Sequence, residues 1–444
     1  MNLSVIIVSY NVSHFLEQCL KSVIQASHSL DIDIFVVDNC SDDDSVHMVQ
    51  TRFPEVKLII NQDNKGFSKA NNQAILQSES DYVLLLNPDT VIEEDGLVKT
   101  LNFMETHSEA GGLGIKMIDG YGHFLPESKR GLPTPWASFC KMSHLSQLFS
   151  RSAYFNRYHL GYLPEDETNK IEVLAGAFML LRRKVLDTIG LLDEDFFMYG
   201  EDIDLSFRIT KAGNFNYYFP EVRMIHYKGE STRKSSLNYV RLFYGAMLIF
   251  ARKHFAGKNE RLLSLVILPG VYFRAAIAMI YSLLNSFSPS SSWPFFSRTI
   301  NQTISSIFRN KEKNRSITKK RVVLIIANQY EAEQICHLLN QDTPDIVSTI
   351  NIAVKSECPE SIKNLPDIDN VNYNRIIVDI RNTMGQYHAG EIIFSAADLT
   401  ASQIITLMIQ LKSYSTEFRI AHTDNNIIIG SNFVSIGQES KINV

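Results

Sequence analysis

Three stretches of the chain carry side chains able to do chemistry, and each follows an apolar run. Asp38 ends IFVVD and is followed by NCSDDDS. A carboxylate at the carboxyl end of a buried strand can accept hydrogen bonds from a nucleotide's base or ribose. Asp38 and Ser41 would serve equally well as caps of the next helix. Asn87 and Asp89 flank Pro88 in LLLNPDT. Two oxygen-bearing side chains so spaced can hold a divalent ion against a diphosphate, although NPDT is also a good turn. In LLDEDFFMYGEDIDLSFR, the acids Asp193, Glu194, Asp195, Glu201, Asp202 and Asp204 sit among Phe196, Phe197, Met198 and Tyr199. Acids beside aromatics suit a partly desolvated general base; a helix N-terminus, whose dipole favours acids, reads the same way. His226 in RMIHYKGEST stands alone, either structural or a ligand, and Asn64–Ile75 (NKGFSKANNQAI) holds a Gly turn and a helix start.

The elements that must position these residues alternate. Val5–Ser9, Ile34–Asp38, Lys57–Ile60 and Tyr82–Leu86 are continuous apolar runs, as in strands covered on both faces. Helical spacing occupies Val12–Ala26, Ser45–Phe53 and Ser68–Gln77. This order predicts an α/β chain with a doubly wound sheet and ligands at the carboxyl ends of its strands. A Gly-, Pro- and aromatic-rich stretch from Gly111 to about Thr168 suits active-site loops. A compact section follows over Ile171–His226, then a helix around Tyr239–His254.

Composition narrows the classes. With 444 residues, 45% hydrophobic and 20% charged, the chain is globular. Its net charge of −5 makes it no nucleic-acid polycation. Cys19, Cys40, Cys140, Cys336 and Cys358 lack CxxC or zinc-like spacing, so a reducing compartment is expected. The opening MNLSVIIVSYN reads as a strand, not a signal peptide.

Taken together and in order, VIIVSYN, VVDNCSDD, NKGFSKANNQAI, LLLNPDT, GAFMLLRR, FFMYGEDIDLSFR and the later His226 resemble the family 2 glycosyltransferases of GT-A fold, in their bacterial rhamnosyltransferase-like branch. The resemblance runs from about Asn2 to about His254. It implies that Tyr10 lies on the nucleobase and that Asp38 accepts its hydrogen bond. Asn11, Asn39, Lys65, Gly66, Asn87 and Gly176 fall in motifs that line the nucleotide-sugar. Asp89 matches the second acid of the family's Asp-X-Asp metal motif, His226 a further metal or diphosphate contact. Asp202 becomes the catalytic base, supported by Glu201. Two positions depart from the pattern. Asn87 replaces the motif's first Asp, and Asn71 stands where many members have Arg.

The implied activity is an inverting transfer that needs Mg²⁺ or Mn²⁺. A sugar, rhamnose-like, would pass from a dTDP- or UDP-sugar to a glycan or lipid-linked glycan acceptor in cell-surface polysaccharide synthesis. A sugar-nucleotide-binding protein without catalysis is the alternative. A nucleotidyltransferase would need a Gly-rich phosphate loop after the first strand, where SYNVSHF stands.

Three segments are expected: a GT-A domain over 1–255, an apolar segment and basic linker over 256–320, and a Rossmann-like accessory domain over 321–444. Leu262–Leu284 is apolar but interrupted by Pro269 and Arg274, with basic residues on both sides. It is expected to meet the cytoplasmic membrane surface without necessarily crossing, in an otherwise cytoplasmic chain; a buried helical hairpin is the soluble alternative. In the last segment VVLIIA, IIVDI, EIIF, FRIA and NIIIG read as strands, and Ala401–Leu411 as a helix. Its first turn, Ala327–Tyr330, lacks the glycines that admit a pyrophosphate. An interaction or positioning role without chemistry is expected there.

Overall fold

A computed structural model of the chain describes residues 2–28, 30–227, 237–254, 322–342, 348–353, 377–384, 390–414, 416–431 and 433–436. The apolar runs become strands β1 (Asn2–Ser9), β2 (Asp31–Asp38), β3 (Lys57–Ile60) and β4 (Tyr82–Leu86). They lie side by side and parallel in the order β3-β2-β1-β4. Helices α1 (Ser13–Ala26), α2 (Ser45–Arg52) and α3 (Phe67–Ile75) connect them. Alternate residues of one strand feed opposite cores. Val5 and Ile7 pack with Leu16, Leu20 and Val23 of α1. Ile6 joins Ala70, Ala74 and Ile75 of α3 on the other face.

Beyond β4 the sheet turns mixed. It adds β5 (Thr90–Ile92), β6 (Ala110–Ile118), β8 (Phe178–Arg182) and β9 (Phe215–His226), in the order β4-β8-β6-β9-β5, while β7 (Asn169–Ile171) pairs β9. Helix α4 (Gly96–Thr106) follows β5, and α5 (Pro135–Met142) and α6 (Leu145–Leu148) follow β6. Helices α7 (Arg183–Ile189) and α8 (Glu201–Lys211) follow β8. The antiparallel β4–β8 pair sets Leu86 opposite Phe178, and the β5–β9 pair sets Thr90 opposite His226. These two registers bring residues far apart in sequence to one edge of the sheet.

A second sheet has the order β11-β10-β12-β13-β14-β15. It is built from β10 (Val322–Ala327), β11 (Ser348–Ala353), β12 (Glu391–Ser395), β13 (Glu417–His422), β14 (Ile427–Gly430) and β15 (Phe433–Ile436). Strands β11, β10, β12 and β13 are parallel, and the last two are antiparallel. Helices α10 (Gln329–Asp342) and α11 (Ala401–Leu411) belong to it, the latter opened by a Thr400–Gln403 capping box. One expectation fails here. IIVDI is no strand, since residues 377–384 are helical. Ile377, Ile380 and Met384 are its buried side chains, at helical spacing. In the glycine-free turn, Asn328 donates its backbone N–H to Asp398 Oδ2 (2.8 Å) and accepts from Glu331 N (2.9 Å), so side chains satisfy the amides at the start of α10.

The described parts of Met1–Phe197, Glu201–Ser231 and Lys320–Val444 form one compact unit. The two sheets share an apolar cluster in which Phe15, Val91, Ile225 and Tyr227 meet Ile404, Leu407, Met408 and Phe418. Polar contacts frame it. Lys21 pairs with Asp424 (2.7 Å), and Gln18 meets His422 (3.2 Å). Glu94, two residues past β5, accepts from the backbone of Ala401 and of Ser402 (3.2 Å) at the start of α11. Gly122, at φ 76°, lies so close to α11 that a Cβ would come within 2.3 Å of Met408 O. The other unit, Met198–Gly200 with Thr232–Lys319, contributes α9 (Leu237–His254), whose Ala246 and Phe250 are buried. The expected membrane-meeting run Leu262–Leu284 and the basic linker lie outside the described residues. Among the described residues no helix is long and apolar enough to cross a membrane.

Glu94 supplies an anion at a helix N-terminus, where a lost cap typically costs about 0.5–2 kcal/mol. Glu94→Ala should therefore lower unfolding free energy by about 1 kcal/mol. Urea denaturation checks this; an unchanged midpoint would show that the contact does not join the two sheets.

Candidate active site

Adjacent parallel strands end together at one edge. Ser9 of β1 stands opposite Asp38 of β2, and Ile7 opposite Leu86 of β4. The segments that continue these strands, Tyr10–Asn11, Asn39–Cys40 and Asn87–Asp89, thus share an edge.

At the β1–β2 end the Asp38 carboxylate is buried. Oδ2 accepts from Ser41 N (2.9 Å), whereas Oδ1 has no hydrogen-bond partner in the protein. A buried acceptor without a donor is costly and calls for one from outside. Asp38 does not cap the following helix; Asp43 Oδ1 accepts from Ser45 N (3.0 Å) at its start. Tyr10 next door is 38% exposed. Asn11 adopts a left-handed conformation (φ 55°), and its Oδ1 accepts from Asp42 N (2.7 Å), locking the two turns together. Asn39 is a buried hub. Its Oδ1 accepts from Lys65 N (2.9 Å), and its Nδ2 donates to Asn64 Oδ1 (2.9 Å) and Gly66 O (3.3 Å). Gly66 has a structural task as well. At φ 80° it sits where a Cβ would fall 2.5 Å from Phe197 O, and Phe67 N donates to that same carbonyl (2.8 Å). The acidic-aromatic loop is thereby tied to α3. Asn71 spends its Nδ2 inside α3, on Phe67 O (2.9 Å).

At the β4–β5 end three polar side chains converge. His226 Nε2 lies 3.3 Å from Asp89 Oδ1 and 3.4 Å from Asn87 Nδ2. The β5–β9 register makes this meeting, since it holds Thr90 against His226, and Tyr227 N donates to Asp89 O (3.0 Å). Among the described residues no three His, Cys, Asp or Glu side chains gather as a metal cage. A buried carboxylate and an imidazole nevertheless fit a hard or borderline divalent ion that completes its shell with phosphate oxygens. Mn²⁺ or Mg²⁺ bound there would be held by Asp89 and His226.

The third group stands at the start of α8. Asn87 N donates to Ala177 O (3.1 Å), so the Gly176–Ala177 turn adjoins Asn87, and Gly176 in turn faces Asp202, whose Oδ2 would lie 3.9 Å from a Cβ added there. Asp202 Oδ2 accepts from Arg130 Nη2, which also donates to Leu174 O (2.5 Å). Arg130 is 9% exposed. Burial opposes its charge, but the Asp202 carboxylate outweighs that, so the guanidinium holds its proton more tightly than a free arginine. Arg130 escaped the sequence reading. It lies 72 residues from its partner in the irregular SKRGLPTP stretch, and no local spacing marks it.

Glu201, beside Asp202, is buried, and its Oε2 has no hydrogen-bond partner in the protein. Burial first, and the Asp202 charge second, push its carboxyl up to about 8. It is therefore protonated at neutral pH. The folded state binds this proton more tightly than the unfolded chain, where a glutamate titrates near about 4.3. The stability it contributes is complete below that value and is lost as pH rises through the raised one. The wild type should lose thermal stability between about pH 4 and pH 8, and Glu201→Gln, which keeps the group neutral, should flatten that loss. Melting temperatures across this range decide the matter; parallel curves would assign the loss to another group.

Comparison with known proteins places this geometry. The sequence model of glycosyl transferase family 2 matches residues 4–190. N-acetylglucosaminyl-diphospho-decaprenol L-rhamnosyltransferase of Mycobacterium tuberculosis is 27% identical over 266 residues, covering 57% of this chain and 85% of the relative. Rhamnosyltransferase WbbL of Escherichia coli K12 is 27% identical over 178 residues, covering 38% of this chain and 63% of the relative. Among solved structures, mannosyltransferase PcManGT from Pyrobaculum calidifontis, in complex with GDP-Man and Mn²⁺, aligns over 69% of this chain and 83% of its own at 15% identity, with a TM-score of 0.41. The order β3-β2-β1-β4, with its mixed extension, agrees with the GT-A type fold that the motifs imply. The stretch that builds most of this strand edge, residues 4–190, thus carries the sequence model of glycosyl transferase family 2.

Proposed function

We propose that the chain is an inverting, divalent-metal-dependent transferase that moves a rhamnose-like sugar from a dTDP- or UDP-sugar to a lipid-linked glycan in cell-surface polysaccharide synthesis. The observation that carries the reading is the juxtaposition at one sheet edge. Asn87 meets His226, beside Asp89, through its side chain, and the Gly176–Ala177 turn, which faces Asp202, through its backbone. The rhamnosyl donor is supported by the printed activities of the two rhamnosyltransferase relatives, and the lipid-linked acceptor by that of the mycobacterial one.

In this reading Tyr10 covers the nucleobase, and Asp38 Oδ1 takes a base N–H as its missing donor. The acceptor hydroxyl attacks the anomeric carbon from the face opposite the diphosphate. The new C–O bond forms as the bond to the diphosphate oxygen breaks, and the nucleoside diphosphate leaves with that electron pair. Asp202 receives the hydroxyl proton, and Arg130 holds Asp202 in place by its buried hydrogen bond. Glu201, neutral beside it, adds no second charge. A divalent cation on Asp89 and His226 would offset charge on the departing diphosphate. The second sheet, over 321–444, serves as a Rossmann-like accessory module with no chemistry of its own, because side chains fill its phosphate turn.

Three variants and one chelator test this. Asp202→Asn should abolish transfer from dTDP-rhamnose while leaving donor binding nearly intact; residual kcat above about a tenth contradicts a base, which typically contributes at least ~10²-fold. Asp89→Ala should remove Mn²⁺- or Mg²⁺-dependent donor binding in calorimetry, and Asn87→Ala should weaken it less. Full activity in excess EDTA would end the metal assignment. Donor binding without turnover of any nucleotide-sugar would favour the non-catalytic binding protein instead.

A further inference from the structure

Five of the large apolar side chains that the described residues leave exposed fall on one short segment. They are Trp136 and Phe139 on α5, Leu148 at the end of α6, and Phe149 and Tyr154 just after it. Leu148 is 74% exposed, Tyr154 63% and Phe139 50%. Their rings form a connected cluster. Trp136 lies 5.7 Å from Phe139 and 5.0 Å from Tyr154, and Phe155 joins Tyr154 at 5.2 Å to Phe149 at 4.7 Å. The backbone holds the cluster in place. Thr134 caps α5 with Pro135 in its first turn, and Trp136 Nε1 donates to Tyr154 O (3.1 Å). Contiguous apolar surface of this kind marks a contact face.

Charge identifies the partner. From Ser128 to Pro164 the sequence contains no Asp or Glu, although the whole chain is net negative at −5. The same stretch carries Lys141, Arg151 and Arg157, all exposed. Arg157 is engaged by Glu172 (2.9 Å), and the Lys141 ammonium lies 3.7 Å from the centre of the Tyr158 ring. Trp and Tyr interleaved with Lys and Arg are the side chains that settle where acyl chains meet headgroups, and anionic headgroups strengthen the hold.

We propose that the aromatic–basic patch over 136–155 docks on the surface of an anionic lipid bilayer. The patch follows Arg130 closely in the chain, so docking there would bring the membrane surface near the Asp202 end of the site. The docking itself depends on no assignment of donor, acceptor or metal, and its failure leaves the transferase reading untouched.

The chain has two tryptophans, Trp136 and Trp293. Full-length Trp293→Phe therefore reports on the patch alone. Phosphatidylcholine vesicles containing phosphatidylglycerol should shift its emission to shorter wavelength, and brominated phospholipid should quench it. Vesicles of phosphatidylcholine alone should do neither. Ser150→Glu with Arg151→Glu, two exposed positions, should reduce partitioning onto the anionic vesicles at least about tenfold at low salt. Its melting temperature should match the parent's. The proposal fails if Trp136 emission is unmoved by vesicles with which the protein co-sediments, since another segment would then bind. It fails equally if the protein does not co-sediment, or if the charge-reversed variant partitions as the parent does. An emission shift that grows with protein concentration without vesicles would assign the patch to a second copy of the chain.

Discussion

A guanidinium removed from water is tolerated only where an anion and hydrogen-bond acceptors meet it, and at Arg130 these are Asp202 and the Leu174 carbonyl. Much of the site depends on that requirement. It fastens the irregular chain after β6 to the first turn of α8, and it points one Asp202 oxygen at a defined place. The pair also explains the contrast between two adjacent acids. Asp202 is hydrogen-bonded to that cation, whereas Glu201, whose burial outweighs the attraction of Arg130, keeps its proton. Two neighbouring carboxyls thus differ by environment alone, the arrangement in which one can serve as base and the other as neutral support.

Much of this was legible in the residues. Four apolar runs fell on four strands to within a few residues; β1, β2 and β4 are largely buried and leave few polar positions to blur the pattern, whereas β3, at the end of the sheet order, is only partly covered. The side chains expected at the carboxyl edge do gather there, since parallel strands with short helical connections must end together. Other features could not be read locally. The Asp89–His226 meeting depends on an antiparallel register between segments more than a hundred residues apart. Arg130 finds its partner only through tertiary packing. IIVDI, short and apolar, suits a strand or a helix equally, and the burial of Ile377, Ile380 and Met384 decided for the helix. Gly66 was expected to face the donor, yet its positive φ and its closeness to Phe197 give it a second and purely steric reason to be glycine.

The second sheet does not hang loose. Its helix α11 takes its first-turn anion from Glu94, and Glu93, beside it, is held by Arg223 of β9 (2.8 Å) and by Ser402 of α11 (3.3 Å). Two consecutive glutamates thus bind one element in their own sheet and one in the other. Tyr227, adjacent to His226, lies in the apolar cluster that the two sheets share.

That arrangement bears on how the chain comes apart. Strand β5 is only three residues long and ends the order of the first sheet. An edge so short is a weak place, where fraying begins. Here its Val91 is packed into the shared cluster and the residues after it are tied to α11. Melting the second sheet would therefore release β5 and, with it, the strand that holds His226 beside Asp89. The two sheets should therefore unfold together, and the carboxyl edge is only as durable as the neighbour it packs against.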